Sequence, residues 1–185
     1  MHPSIRNPSQ AVRSAMPALV ALSVLLAAML VLGGCAKLFV DVNDRDPAAG
    51  SIALSRGDSV AVHHIQADAG SEANGWNSHD AGQLQMDIVR QLQAHGIKAT
   101  ASDDNNGSSL AVTVSRFDKG SAVGRVFIFW GDTHLDGDAV LSTSAGMRKL
   151  EVIKSGQQKG VLAASDQTNV DIGYFAAALA SKITR

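Results

Sequence analysis

SVAVHHI (Ser59–Ile65) alternates apolar and polar residues, a polar loop follows, the apolar period lengthens to that of a helix over residues 80–95, and IKATA (97–101) returns to the short period. Strand, helix, strand in that order decides the fold, because a helix joining two neighbouring strands favours a right-handed crossover that lays them parallel. Val60 and Val62 mark the inward face of the first strand, with His64 next in that series. The helix carries Ala81, Leu84, Ile88 and Leu92 in one stripe, with Val89 beside it, at the spacing needed to cover a sheet. Asn77 or Ser78 suits its N-cap and Gly96 its C-cap.

Downstream, DDNNGSS (103–109) is a turn and LAVTVSRF (110–117) a central strand with Leu110, Val112 and Val114 facing inward. VFIFW (126–130) is apolar without alternation, either a strand covered on both faces or an exposed lip. Residues 139–143 and 150–154 read as two further strands, and SGQQK (155–159) turns toward a hairpin partner at 161–164. A second helix over about 168–183 is striped by Ile172, Phe175, Leu179 and Ile183. This order predicts an α+β two-layer sandwich. Two helices pack on one face of a mostly antiparallel sheet of about five or six strands, in the order β-α-β-β-β-β-α.

Upstream, Arg6 and Arg13 precede an apolar stretch from Ala18 to Leu32 with no acidic residue, the pattern of a secretory signal. The stretch falls short of the ~20 apolar residues of a membrane span. It ends at Leu32-Gly33-Gly34-Cys35, and Cys35 is the single cysteine of the chain. These four residues resemble the lipobox of bacterial lipoproteins, with Gly33 a less usual occupant of its position. The resemblance implies cleavage between Gly34 and Cys35, diacylglycerol on the Cys35 thiol and an N-acyl group on its amine. No other cofactor is expected. Ala36 stands where an aspartate would signal retention at the inner membrane, so the resemblance implies the periplasmic face of the outer membrane. Residues 1–34 are then the signal, residues 35–57 a lipidated N-terminus and flexible tether, and residues 58–185 a periplasmic domain. The tether reading rests on Asp41, Asn43, Asp44, Arg45, Asp46, Pro47, Gly50 and Gly57, polar and turn-forming without sustained periodicity. The short patches 38–40 and 52–54 have packing on the domain as their alternative.

The domain layout is similar to the small periplasmic domains of several envelope lipoproteins, including the lipopolysaccharide-assembly and curli-secretion lipoproteins. Its sequence support is LQAHGI (92–97) and the signal. The broad group of small bacterial lipoproteins with a domain of unknown function is the nearest resemblance. No functional motif carries over from these families.

Without residues 1–34 the chain has 14 basic and 17 acidic residues, a balance that does not favour nucleic acid or an anionic surface as partner. The expected partners are the membrane, through the anchor, and another envelope protein. Catalysis has no local signature: there is no Gly-x-Ser-x-Gly elbow and no glycine-rich phosphate loop before a helix, so a non-enzymatic role is expected. Two stretches compete with that reading. Val126, Phe127, Ile128, Phe129 and Trp130 have the composition of an interface anchor or of a lip dipping into lipid. Asp132, His134, Asp136 and Asp138 would project from one face of an extended strand and could meet a divalent cation, against the alternative of a solvated polar strand face. His63 and His64 point to opposite faces of their strand, and His95 suits a helix end, so the remaining imidazoles offer a zinc site little.

Overall fold

The computed structural model describes residues 37–104, 107–118, 131–158 and 167–185. The elements are β1 (Lys37–Asp44), a 3-10 turn (Pro47–Ser51), β2 (Ser59–Val62), β3 (Gln66–Ala67), α1 (Ala69–Ala73), α2 (Ser78–Ala94), β4 (Lys98–Ala101), β5 (Ser108–Asp118), β6 (Gly131–Thr143), β7 (Gly146–Gln158) and α3 (Gln167–Ile183). One sheet runs in the order β1-β7-β6-β5-β2-β4, with β3 paired to β5. β1, β7, β6 and β5 are antiparallel neighbours, whereas β2 lies parallel to both β4 and β5. The strand-helix-strand reading therefore holds: β2 crosses over through α2 into the parallel β4.

The α2 ends are closed as the sequence indicates. The Asn77 side chain accepts from the His79 and Asp80 amides, and its own amide donates to Asp80 at 2.9 Å. At the other end Ile97 N donates to Leu92 O and Gly96 N to Gln93 O, a closure that needs a residue at positive φ, which Gly96 provides at +83°.

Both helices pack on one face of the sheet and on each other, α2 over β2 and β4, α3 over β1, β6 and β7. The α2 stripe and Ile172, Phe175, Leu179 and Ile183 of α3 are all buried, with Val60, Val62, Leu110, Val112 and Val114 facing them from the strands. His64 departs from that series and is exposed. Gly137 lets α3 come close: a Cβ there would lie 2.9 Å from the Thr113 carbonyl oxygen and 3.1 Å from Phe175 Cζ. Residues 139–143 and 150–154 fall within β6 and β7, which are far longer than expected. The expected partner at 161–164 lies outside the described residues.

Of the flexible tether expected over residues 35–57, the described part, 37–57, is ordered structure instead. Lys37–Asp44 forms an edge strand whose eight residues all pair with β7, from Lys37 opposite Gln157 to Asp44 opposite Leu150. Val40 and Val42 pack against the core. Leu54 is buried and exchanges backbone hydrogen bonds with the end of the chain, donating to Ile183 O and accepting from Arg185 N. The tie is completed by Arg148 of β7. Its guanidinium grips Asp44 through Nε (2.5 Å) and Nη2 (3.0 Å), while Nη1 donates to the carbonyls of Ile52 and Lys182. One buried cation thus binds the end of β1, the segment after it and the end of α3. A second departure is α1, a five-residue helix in what reads as a polar loop, started by Asp68 accepting from Ser71 N.

Candidate functional site

The outward side of β6 contains the predicted polar row. Thr133, Leu135, Gly137, Ala139 and Leu141 face the helices, so His134, Asp136 and Asp138 share the opposite face, which no helix among the described residues covers. They stand in line rather than in a ring. Successive outward residues on a strand are ~6.6 Å apart, whereas oxygen ligands of one calcium ion sit 2.3–2.6 Å from it. The two carboxylates are also engaged with their neighbours. Asp138 pairs with Arg45 at 2.6 Å, and Asp136 accepts from the Lys154 amide at 3.2 Å. Burial holds the Asp136 carboxyl above its ordinary value, with the Lys154 amide, His134 and Arg116 opposing. Among the described residues no three His, Cys, Asp or Glu side chains come together as a metal site. The Asp132 side chain, and Val126, Phe127, Ile128, Phe129, Trp130, Gly34 and Cys35, lie outside the described residues.

Beneath that row, between sheet and α3, is a cluster with no local sequence signal. Lys154 is fully buried on the helix-facing side of β7; its ammonium pairs with Asp171 of α3 and donates to Thr133 Oγ1 of β6 at 2.8 Å. Burial pulls the Lys154 amine below the ordinary lysine value, with Asp171 opposing. The ammonium, held by Asp171 and Thr133, joins helix to sheet.

A cleft of about 590 Å³ opens at the carboxyl end of β2, lined among others by His64, Gln66, Glu72, Trp76, Asn77 and Ser78. Trp76 is buried edge-on against Phe117, centroids 5.1 Å apart, and forms floor rather than a stacking platform. The first amides of α2 are taken by Asn77, with Asp80 beside them, so this helix end offers an anion nothing. Among the described residues no lysine or arginine lines the cleft.

The face of the sheet turned away from the helices is organised in rows across β1, β7 and β6. Phe39, Ser155 and His134 are in register; next come Asp41, Ile153 and Asp136; then Asn43, Glu151 and Asp138. Phe39 is 63% exposed, the highest figure for a large apolar side chain among the described residues.

No protein-family model matches this chain, and no curated protein matches it. Solved structures do. The PelC dodecamer from Paraburkholderia phytofirmans matches with a TM-score of 0.52 at 18% identity, covering 80% of this chain and 100% of that one. A DUF330 protein from Xanthomonas campestris matches at 0.49, with 15% identity over 73% of this chain and 86% of that one. A minor lipoprotein from Acinetobacter baumannii matches at 0.34, with 10% identity over 68% and 90%. None of the three is named as an enzyme. The PelC likeness supports the fold, and the two lower scores carry no argument.

Proposed function

We propose that this chain is a lipoprotein, attached through Cys35 to the periplasmic face of the outer membrane, that serves as a non-enzymatic binding or assembly accessory of the cell envelope. The observation that carries the reading is where the folded domain begins. β1 enters the sheet at Lys37, two residues after Cys35, so the lipobox cysteine sits at the threshold of the domain. The buried charges also favour it, since Arg148 and Lys154 are committed to holding elements together. PelC, of like fold, is a dodecamer, and self-association is the form of assembly expected here.

Processing and acylation test this directly. Cys35→Ser should accumulate as an uncleaved or mislocalised precursor, and native material should begin at Cys35 with added acyl mass. An N-terminal peptide starting elsewhere, or free of acyl mass, would refute the attachment. Light scattering on detergent-extracted lipoprotein should give a mass of several chains; a monomer would remove the self-association.

A second reading, contact with lipid or an envelope polymer through residues 126–130, has one observation in its favour. Trp130 is bonded to Gly131, whose partner in β7 is Gln158, at the sheet end where β1 starts. The divalent-metal reading of Asp132, His134, Asp136 and Asp138 gains no such support, because Arg45 and the Lys154 amide already engage two of its carboxylates.

A further inference from the structure

We infer that the self-association proposed above runs through β1: the outer edges of two copies pair antiparallel about a two-fold axis at Val40 and join two sheets into one. The inference deepens that reading and rests on it. A sheet offers unpaired backbone at its two edge strands, here β4 and β1.

The β4 edge is closed. Lys98 N donates to Asp58 O and Ser102 N to Val62 O, so the even-numbered residues bond to β2 while Ala99 and Ala101 turn their backbone groups outward. The Ala99 carbonyl already accepts from the Gln93 side chain of α2 at 2.9 Å. The strand is also only four residues long.

The β1 edge is open. Arg45 N donates to Lys149 O directly opposite, so by alternation Asn43, Asp41 and Phe39 bond to β7, whereas Val42, Val40 and Leu38 direct N–H and C=O to the outer edge. Among the described residues nothing meets these groups at Val40 and Val42. Edge strands are ordinarily blunted by shortness, bulges or proline, and β1 runs eight residues with none of these. Val40 and Val42 are only partly buried on the helix side, and Phe39 is exposed on the other.

With one edge closed and the other open, edge-to-edge pairing within this chain's own assembly can only set β1 against β1. Such a contact is isologous, so it closes at two copies and does not run on as a fibre. The side chains place the axis. An axis at Asp41 would set two carboxylates directly opposite each other, which is destabilising. The turn at Pro47–Ser51 packs beside the far end of the strand, so the axis moves toward Phe39. Centred at Val40, the hydrogen-bonded pairs join Val40 to Val40 and Val42 to Leu38 of the second copy. Asp41 then stands opposite Phe39, and the half-covered valines of both chains close over one another.

Detergent-extracted acylated lipoprotein carrying Val40→Pro tests this by light scattering. Proline removes an outward N–H and no bond to β7, so the mass should fall at least twofold while the melting temperature stays within a few degrees of the parent. Val40→Thr keeps the N–H and should keep the mass. Spin labels supply a readout that leaves β1 intact. Cys35 is the single cysteine and becomes a thioether on acylation, so a thiol at Lys149→Cys or Thr100→Cys is labelled alone. Residue 149 lies on β7, ten residues and three strand spacings from its copy in the proposed pair, which puts the two labels roughly 35–40 Å apart. Labels at 100, on β4, should be about twice as far apart. An unchanged mass in folded Val40→Pro, or labels at 100 closer together than those at 149, would overturn the inference and leave self-association standing. A monomeric parent would remove both.

Discussion

Lys154→Met keeps most of the methylene stem and deletes the ammonium, leaving the Asp171 carboxylate between sheet and α3 without its cation. Lys154 is 0% exposed and the Asp171 side chain 4%, so neither partner has water to fall back on. Breaking a buried pair from one side costs about 3–5 kcal/mol, because the remaining charge stays desolvated. Thr133 Oγ1 loses its donor as well. Lys154→Met with Asp171→Leu should restore stability to near the parent value or above it, since burying two charges costs about what their attraction returns. Urea unfolding of the chain from Ala36 onward, followed by circular dichroism, reads this directly. With a slope of ~2 kcal/mol per molar, the single variant should lose roughly 2 M in midpoint and the double variant should regain it. The pH dependence has a fixed sign. Burial lowers the Lys154 pKa in the folded state, so between that value and the ordinary lysine value the unfolded chain binds more protons and stability rises with pH. Lys154→Met should lose that rise. A single variant as stable as the parent, or a double no better than the single, would refute the reasoning.

Gly137→Ala should cost about 1–3 kcal/mol in the same assay, because its Cβ would meet the Thr113 carbonyl and the Phe175 ring. Arg148→Met should cost about 2–4 kcal/mol and open residues 45–57 to proteolysis, through loss of its bonds to Asp44, Ile52 O and Lys182 O. Hydrogen bonding from Arg148 holds the Asp44 carboxyl below its ordinary value. Its stabilisation is complete above that ordinary value and lost as pH falls through the folded one, so Arg148→Met should flatten the acid limb of the stability curve.

Local periodicity carried as much of the fold as local periodicity can. The α2 stripe, the Asn77 and Gly96 ends, the parallel crossover and the α3 stripe were all legible because each is set by residues a few positions apart. β1 was hidden because its inward residues Val40 and Val42 alternate with Asp41 and Asn43 for only a few positions. Its partner strand is also more than a hundred residues away in sequence. The first half of β6 was hidden by Thr133 and Gly137, which break an apolar alternation for reasons found elsewhere. Thr133 meets a lysine of β7, and Gly137 makes room for a phenylalanine of α3. The Lys154–Asp171 pair left no mark in either local stretch, since ion pairs across elements have no fixed spacing. Asp68 ahead of Ser71 was the one overlooked signal, a cap that announces α1.

The pairing of β1 with β7 sets an order of assembly. The hairpin of β6 and β7 closes through a short turn, whereas Lys37–Asp44 find their partner only when Gly146–Gln158 has emerged. Loop closure over that span is the costliest entropy step in the sheet, so contact order makes the first strand the last to lock. Until Gly146–Gln158 is in place, residues 37–44 have no partner in the sheet and stay pliable.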